Sequence, residues 1–246
     1  MDISKLLKQI SKGITHCLFP YHCILCHDKT NRDFDLCIEC EEFLPWLENV
    51  CIYCAAPLIL QTQSVCGTCL KKPLPFHKLC VFFSYTETIK KLVIGLKFQQ
   101  RLIYAHILGT LVAEKIPSQY QNEELPDIII PVPLHKKRLY ARGFNQAIEL
   151  ARPISKKLNI RIDYKRCKRV INTAAQSMLP ANQRASNVKN AFVAYAYKSL
   201  ANQHVALLDD VMTTGHTLIE MSHALYDVGV KRIDVWCCAR TYLSGN

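Results

Sequence analysis

Residues His204 to Thr217 read HVALLDDVMTTGHT. The apolar run through Leu208 is of strand length and reads, with the two acids that end it, as a buried β-strand. Thr213, Thr214, Gly215 and Thr217 then lead into a helical pattern spanning 217–227. Small residues at such a turn let the backbone curl until several N–H groups converge on one phosphate. The positive end of the following helix and the threonine hydroxyls strengthen that field. Asp209 and Asp210 are placed to accept hydrogen bonds from ribose hydroxyls or to hold Mg2+. The plainer alternative is an ordinary strand, turn and helix with capping threonines. An acidic doublet ahead of T-T-G-x-T is far more specific than a lone glycine pattern, and it favours a phosphorylated sugar.

Outward from this segment, apolar runs of strand length alternate with longer helical stripes. VFFSY at 81–85 predicts a strand, as do DIIIPVPL at 127–134 and RIDVWCCA at 232–239. Ile89, Leu92, Val93 and Leu96 form one helical stripe, and Ile103, Ile107, Leu108, Leu111 and Val112 form a second. A third helix is predicted over Asn145 to Leu158, with Pro153 interrupting or kinking it after Arg152. Continuously apolar strands between helices predict a parallel sheet covered by helices on both faces. Such sheets bind ligands beyond the carboxyl ends of their strands.

The formal net charge is +11, and its distribution matters more than its size. Residues 131–170 carry twelve Lys or Arg against only Glu149 and Asp163, so nearly all the excess lies there. A local basic field after a strand end suits a polyanion, either a phosphorylated small molecule or nucleic acid; a solvated helix face is the alternative. Tyr140, Phe144 and Tyr164 lie among these basic residues, as in single-strand binders that combine cationic grooves with stacking platforms, although packing would explain them equally.

Eight of the thirteen cysteines form four C-x-x-C knuckles: Cys23 and Cys26, Cys37 and Cys40, Cys51 and Cys54, Cys66 and Cys69. Eight thiolates make two closed tetrahedral sites, which suit structural Zn2+. Sequential and interleaved pairings both satisfy the spacing, and an iron–sulfur cluster or redox dithiols are the chemical alternatives. His16, His22 and His27 flank the first knuckle as bystanders, and Cys237 and Cys238 read as core residues. The stretch KKPLP at 71–75 predicts a linker. The expected organisation is thus an amphipathic N-terminal helix at 1–19, a cysteine module and linker at 20–75, and an α/β domain at 76–246. No run predicts a transmembrane span, and neither a signal peptide nor a disulfide framework is indicated, so a cytoplasmic location is expected, with membrane association through partners as the alternative.

The segment LLDDVMTTGHT resembles the phosphoribosyl pyrophosphate signature of type I phosphoribosyltransferases. The whole chain is similar to the ComF family, whose members join a zinc module to that fold. PVPLHKKRLYARGFNQAIELA at 131–151 is similar to that family's strand, basic loop and R-G-F-N-Q helix start. Thr173, Gln176, Arg184 and Asn187 match its T-x-x-Q and R-x-x-N segment. The resemblance implies a type I phosphoribosyltransferase-like sheet behind a zinc-ribbon module. It also implies that Thr213, Thr214, Gly215 and Thr217 bind the 5'-phosphate, Asp209 and Asp210 approach the ribose, and Leu134, His135 and Lys136 face pyrophosphate with Mg2+. Asp209, Asp210 and Arg142 are the catalytic candidates. Lys136, Lys137, Arg138, Arg142, Phe144, Asn145, Gln146, Thr173, Gln176, Arg184 and Asn187 would serve DNA contact or a hood over the substrate, the hood lying in the polar stretch 165–187. The implied role is natural transformation, acting on incoming single-stranded DNA, with partners in the DNA-uptake or recombination machinery. A metabolic phosphoribosyltransferase that uses its zinc module for assembly is the alternative, and nothing in the sequence identifies an acceptor.

Overall fold

The computed structural model describes residues 20–60, 62–71, 73–173, 183–195 and 200–242. The expected N-terminal helix, His16 and Gln176 lie outside them. By internal contacts the chain divides between Leu44 and Pro45. The first unit is small. Its helix α1 (Ile38–Glu42) is capped by Cys37, whose sulfur accepts from the Cys40 N–H at 3.4 Å, and Arg32 pairs with Glu41 at 2.5 Å.

The second unit contains the second pair of knuckles, the short helix α2 (Gly67–Lys71) and the α/β body. Strand β1 (Lys78–Ser84) leads to α3 (Glu87–Gln99) and α4 (Leu102–Lys115). β2 (Ile128–Pro131), α5 (Lys136–Arg142), α6 (Gln146–Leu158) and β3 (Arg161–Ile162) follow. The chain continues through β4 (Cys167–Arg169), α7 (Arg184–Val188) and β5 (Phe192–Ala194), and closes with β6 (His204–Met212), α8 (His216–Tyr226) and β7 (Arg232–Arg240). Five strands form a parallel sheet in the order β1-β7-β6-β2-β3.

Both faces of the sheet are buried, which is why its strands lack a polar alternation. Val205 and Leu207 of β6 join one core with Leu218, Met221 and Leu225 of α8. On the other face, α4 and α6 pack together against β2, β6 and β7. Gly109 of α4 permits this approach: a Cβ there would lie 2.5 Å from Pro153 Cγ and 2.6 Å from the Leu150 carbonyl oxygen. Pro153 does not end the helix, because α6 runs unbroken to Leu158 and the proline ring fills the space beside Gly109.

Two further expectations are corrected. The basic loop after Leu134 is a helix, α5, whose N-cap is His135; its side chain accepts from the Lys137 N–H at 3.3 Å. The stretch 165–187 is not without regular structure. β4 pairs antiparallel with β5, a partner supplied after the stretch ends, and α7 follows Gln183.

At the amino ends of the strands a polar network clamps the sheet. Buried Asp234 accepts from the Tyr120 hydroxyl at 2.8 Å and from Arg232, and His204 Nε2 lies 2.9 Å away. The Tyr120 oxygen in turn accepts from Trp236 Nε1 at 2.9 Å. Arg232 and Lys78 also pair with Glu123, holding its carboxyl down at about 2. With the amino ends committed to this network, the carboxyl ends are left for ligands.

Candidate functional site at the carboxyl ends of the sheet

A cavity of about 440 Å³ opens where β2 and β6 end. Strand β6 runs on past the two aspartates to Met212, so the acids sit on regular strand rather than in the turn. Beyond it, Gly215 adopts φ +80° and is the N-cap of α8. Glycine offers no side chain to the first-turn N–H groups, and no side-chain cap bond is made there. Gly215 and the first residues of this eleven-residue helix line the cavity, so its positive end lies at that space.

Leu134, Arg138, Arg142, Gln146, Asp209, Asp210, Thr213, Thr214, Gly215 and Thr217 all line this space. His135, Lys136, Lys137, Phe144, Asn145, Thr173, Arg184 and Asn187 do not. Asn145 is a buried helix cap: its Oδ1 accepts from the Ala147 N–H at 2.9 Å, and its Nδ2 donates to the Val132 carbonyl at 3.0 Å. Gln146 faces the cavity, with its Oε1 accepting from Arg142 at 2.5 Å. Thr173 works from behind the wall. Its carbonyl accepts from Arg138 and its hydroxyl oxygen from Arg169, so it orients two guanidinia.

Three cavity cations were not singled out by the sequence motifs: Lys90, Lys97 and Arg169. Lys97, near the end of α3, places its ammonium on Asp210, and Arg169 of β4 is buried in the wall. The latter two each left a faint trace. Lys97 lies beside Leu96 and one turn beyond Val93, at the border of the buried stripe, and Arg169 shares a strand face with Cys167. The basic field is therefore divided. Arg138, Arg142 and Arg169 line the cavity, while Lys136, Lys137, Lys165 and Lys168 are exposed.

The electrostatics follow from this crowding. Burial and then neighbouring Arg138 bring the Arg169 guanidinium down to about 10, while Asp209 opposes that shift. Burial and then Asp210 push the Asp209 carboxyl up, against the pull of Lys97. Mg2+ needs free oxygen ligands. Here Asp210 Oδ2 already carries an ammonium and three guanidinia share the cavity, so a divalent ion would compete with fixed positive charge for that carboxylate.

The cysteine clusters do fit metal. Cys23, Cys26, Cys37 and Cys40 bring their sulfurs within 4.8 Å of one another, as do Cys51, Cys54, Cys66 and Cys69, which makes the pairing sequential. A Zn–S bond of about 2.3 Å implies tetrahedral edges of about 3.8 Å. The Cys26 to Cys37 and Cys54 to Cys66 sulfur distances are 3.8 and 3.5 Å. Burial opposes ionisation of Cys23 and Cys51, but backbone N–H groups outweigh it and lower these thiols to about 6 and about 7. The eight residues would hold two structural Zn2+ ions.

The fold and these clusters define a double zinc ribbon joined to a phosphoribosyltransferase-type domain. The double zinc ribbon domain family matches residues 14–70, and the phosphoribosyl transferase domain family matches residues 145–241. The chain is 35% identical over 226 residues to Competence protein F of Haemophilus influenzae, covering 90% of this chain and 98% of that one. It is 34% identical over 208 residues to the DNA utilization protein YhgH of Escherichia coli, covering 84% and 90%. The protein belongs to the ComF family. Solved structures match part of it. The glutamine phosphoribosylpyrophosphate amidotransferase of B. subtilis is 16% identical with a TM-score of 0.37, covering 55% of this chain and 26% of that one. The purine phosphoribosyltransferase of Pyrococcus horikoshii is 20% identical with a TM-score of 0.31, covering 54% and 70%. Among the described residues no helix is long and apolar enough to cross a membrane.

Proposed function

We propose that this protein serves DNA uptake and use in natural transformation, and that its sheet-end cavity binds phosphoribosyl pyrophosphate. The observation that carries the ligand reading is the uncapped start of α8 behind Thr213, Thr214 and Gly215, facing one cavity with Asp209, Asp210 and the three guanidinia. Helix N–H groups suit the 5'-phosphate, carboxylates suit the ribose hydroxyls, and guanidinia suit a diphosphate, whose negative charge grows as it departs from the sugar.

The DNA part of the reading rests on the similarity to Competence protein F and on the outer half of the basic field. Lys136 and Lys137 are exposed beside Tyr140, which is 85% exposed, and Tyr164 is exposed near Lys165. Lysines that neutralise phosphates, with aromatic rings free to stack on bases, are what a single strand needs. A cytoplasmic site of action and contacts with uptake or recombination proteins belong to the same proposal.

The deciding experiment measures thermal stabilisation of the zinc-loaded protein by phosphoribosyl pyrophosphate, beside an Asp209→Ala, Asp210→Ala double variant. A rise in melting temperature in the parent that the variant lacks supports the reading; no shift in the parent refutes it. Single-strand affinity should fall steeply with salt and drop on replacing Lys136 and Lys137. Pyrophosphate release with a small acceptor and no affinity for single strands would instead make this a metabolic phosphoribosyltransferase.

A further inference from the structure

Lys97 departs from the plan the motifs imply. Its ammonium reaches the cavity from the last turn of α3 and rests on Asp210 Oδ2, with the two side chains 21% and 5% exposed. Among the described residues the Lys97 ammonium is the group paired directly with that buried oxygen, and Arg142 adds a more distant positive charge. Asp210 and its neighbour Asp209 are the groups expected to meet the ribose and its cation. A divalent ion arriving at this edge would meet a fixed positive charge. It would also have to displace a desolvated ion pair, whose attraction is strong because water is largely excluded. The same cavity is lined by Arg138, Arg142 and Arg169, whose guanidinia suit phosphate oxygens.

We propose that Lys97 stands in for the divalent counter-ion, so that the cavity takes a pentose 5-phosphate 1-diphosphate as the free anion, without Mg2+. This rests on the phosphoribosyl reading of the cavity given above. Lys97 is then a ligand-binding residue as well as the holder of Asp210. Its ammonium bridges the carboxylate and the diphosphate, the junction a metal would otherwise occupy.

Titration calorimetry of the zinc-loaded full chain with phosphoribosyl pyrophosphate tests this. One buffer is depleted of Mg2+ without chelator, so that the ribbons keep their zinc, and the other contains millimolar Mg2+. The parent is expected to bind in both, with affinities within about threefold of each other. Lys97→Met should lose about tenfold or more in the depleted buffer and recover when Mg2+ is added, because the vacated Asp210 can then take the metal. Lys97→Arg should keep the parent's indifference to Mg2+. A parent that binds only with Mg2+ overturns the proposal, and that comparison stands even if the methionine variant fails to fold. A folded Lys97→Met that binds as well as the parent without Mg2+ overturns it too. A parent that binds in neither buffer overturns the phosphoribosyl reading itself, and this proposal with it.

Discussion

Replacing Gly109 with alanine sets two effects of known size against each other. In a helix interior, alanine is favoured over glycine by about 1 kcal/mol, because it restricts the unfolded chain. At Gly109 the added Cβ would sit 2.5 Å from Pro153 Cγ and 2.6 Å from the Leu150 carbonyl oxygen, both on the facing helix at 146–158. Neither obstacle can rotate aside, since one is a closed ring and the other is helix backbone. Overpacking of a tight interface costs about 1–3 kcal/mol, and two rigid obstacles place this case at the upper end. The net loss is about 2 kcal/mol, which for a unit of this size lowers the melting temperature by about 4–8 °C. Gly95→Ala is the internal control. There the nearest atoms are Cε2 and Cδ2 of Tyr104, at 2.5 and 2.9 Å, and they belong to a half-buried side chain that can swing out. Its cost should largely cancel the helical gain. Thermal unfolding of zinc-loaded protein, followed by the fluorescence of Trp46 and Trp236 in the sheet-containing unit, reads both variants. A Gly109→Ala protein as stable as the parent, or a Gly95→Ala protein that loses as much, refutes the reasoning.

Tyr120→Phe leaves the buried Trp236 N–H without its acceptor and removes one of the donors to Asp234, and should cost about 1–3 kcal/mol in urea unfolding; a neutral result would show that the Tyr120 hydroxyl adds nothing to the network at the strand starts. Lys78 and Arg232 hold the Glu123 carboxyl down at about 2, so its contribution is complete above about pH 4.5 and disappears as pH falls toward 2. The stability difference between the parent and Glu123→Gln should therefore narrow across that interval, and a constant difference would count against the pairing. Metal analysis should find two zinc ions per chain, with one lost in Cys23→Ser and the other in Cys51→Ser. The second variant should destabilise the sheet-containing unit, which holds that cluster; loss of both ions from either single variant would contradict sequential pairing.

Much of this architecture was legible because its signals are local. The apolar run before Asp209, the glycine at the helix start and the four knuckles each express their meaning over a few residues. Strand, turn, helix and zinc knuckle are set by backbone reach and side-chain size at that range. The parallel sheet could be read from strands with no polar face, since only cover on both sides makes that tolerable. Segments with ambiguous local signals were misread. α5 at 136–142 is short and has no buried residue to mark a stripe, and the strand at 167–169 has meaning only beside its partner at 192–194.

Tertiary structure alone decided which charges meet. Of the basic residues around 131–170, the fold turns three guanidinia inward and leaves Lys136 and Lys137 in solvent, although composition treats them alike. It also brings Lys97 from a distant helix onto Asp210, and sets Thr173 behind two arginines instead of in the cavity. The sequence determined which groups able to hold phosphate, ribose and zinc are present, and their local geometry. Electrostatic pairing depends on distances across the sheet and on exclusion of water, and both arise only when remote segments pack.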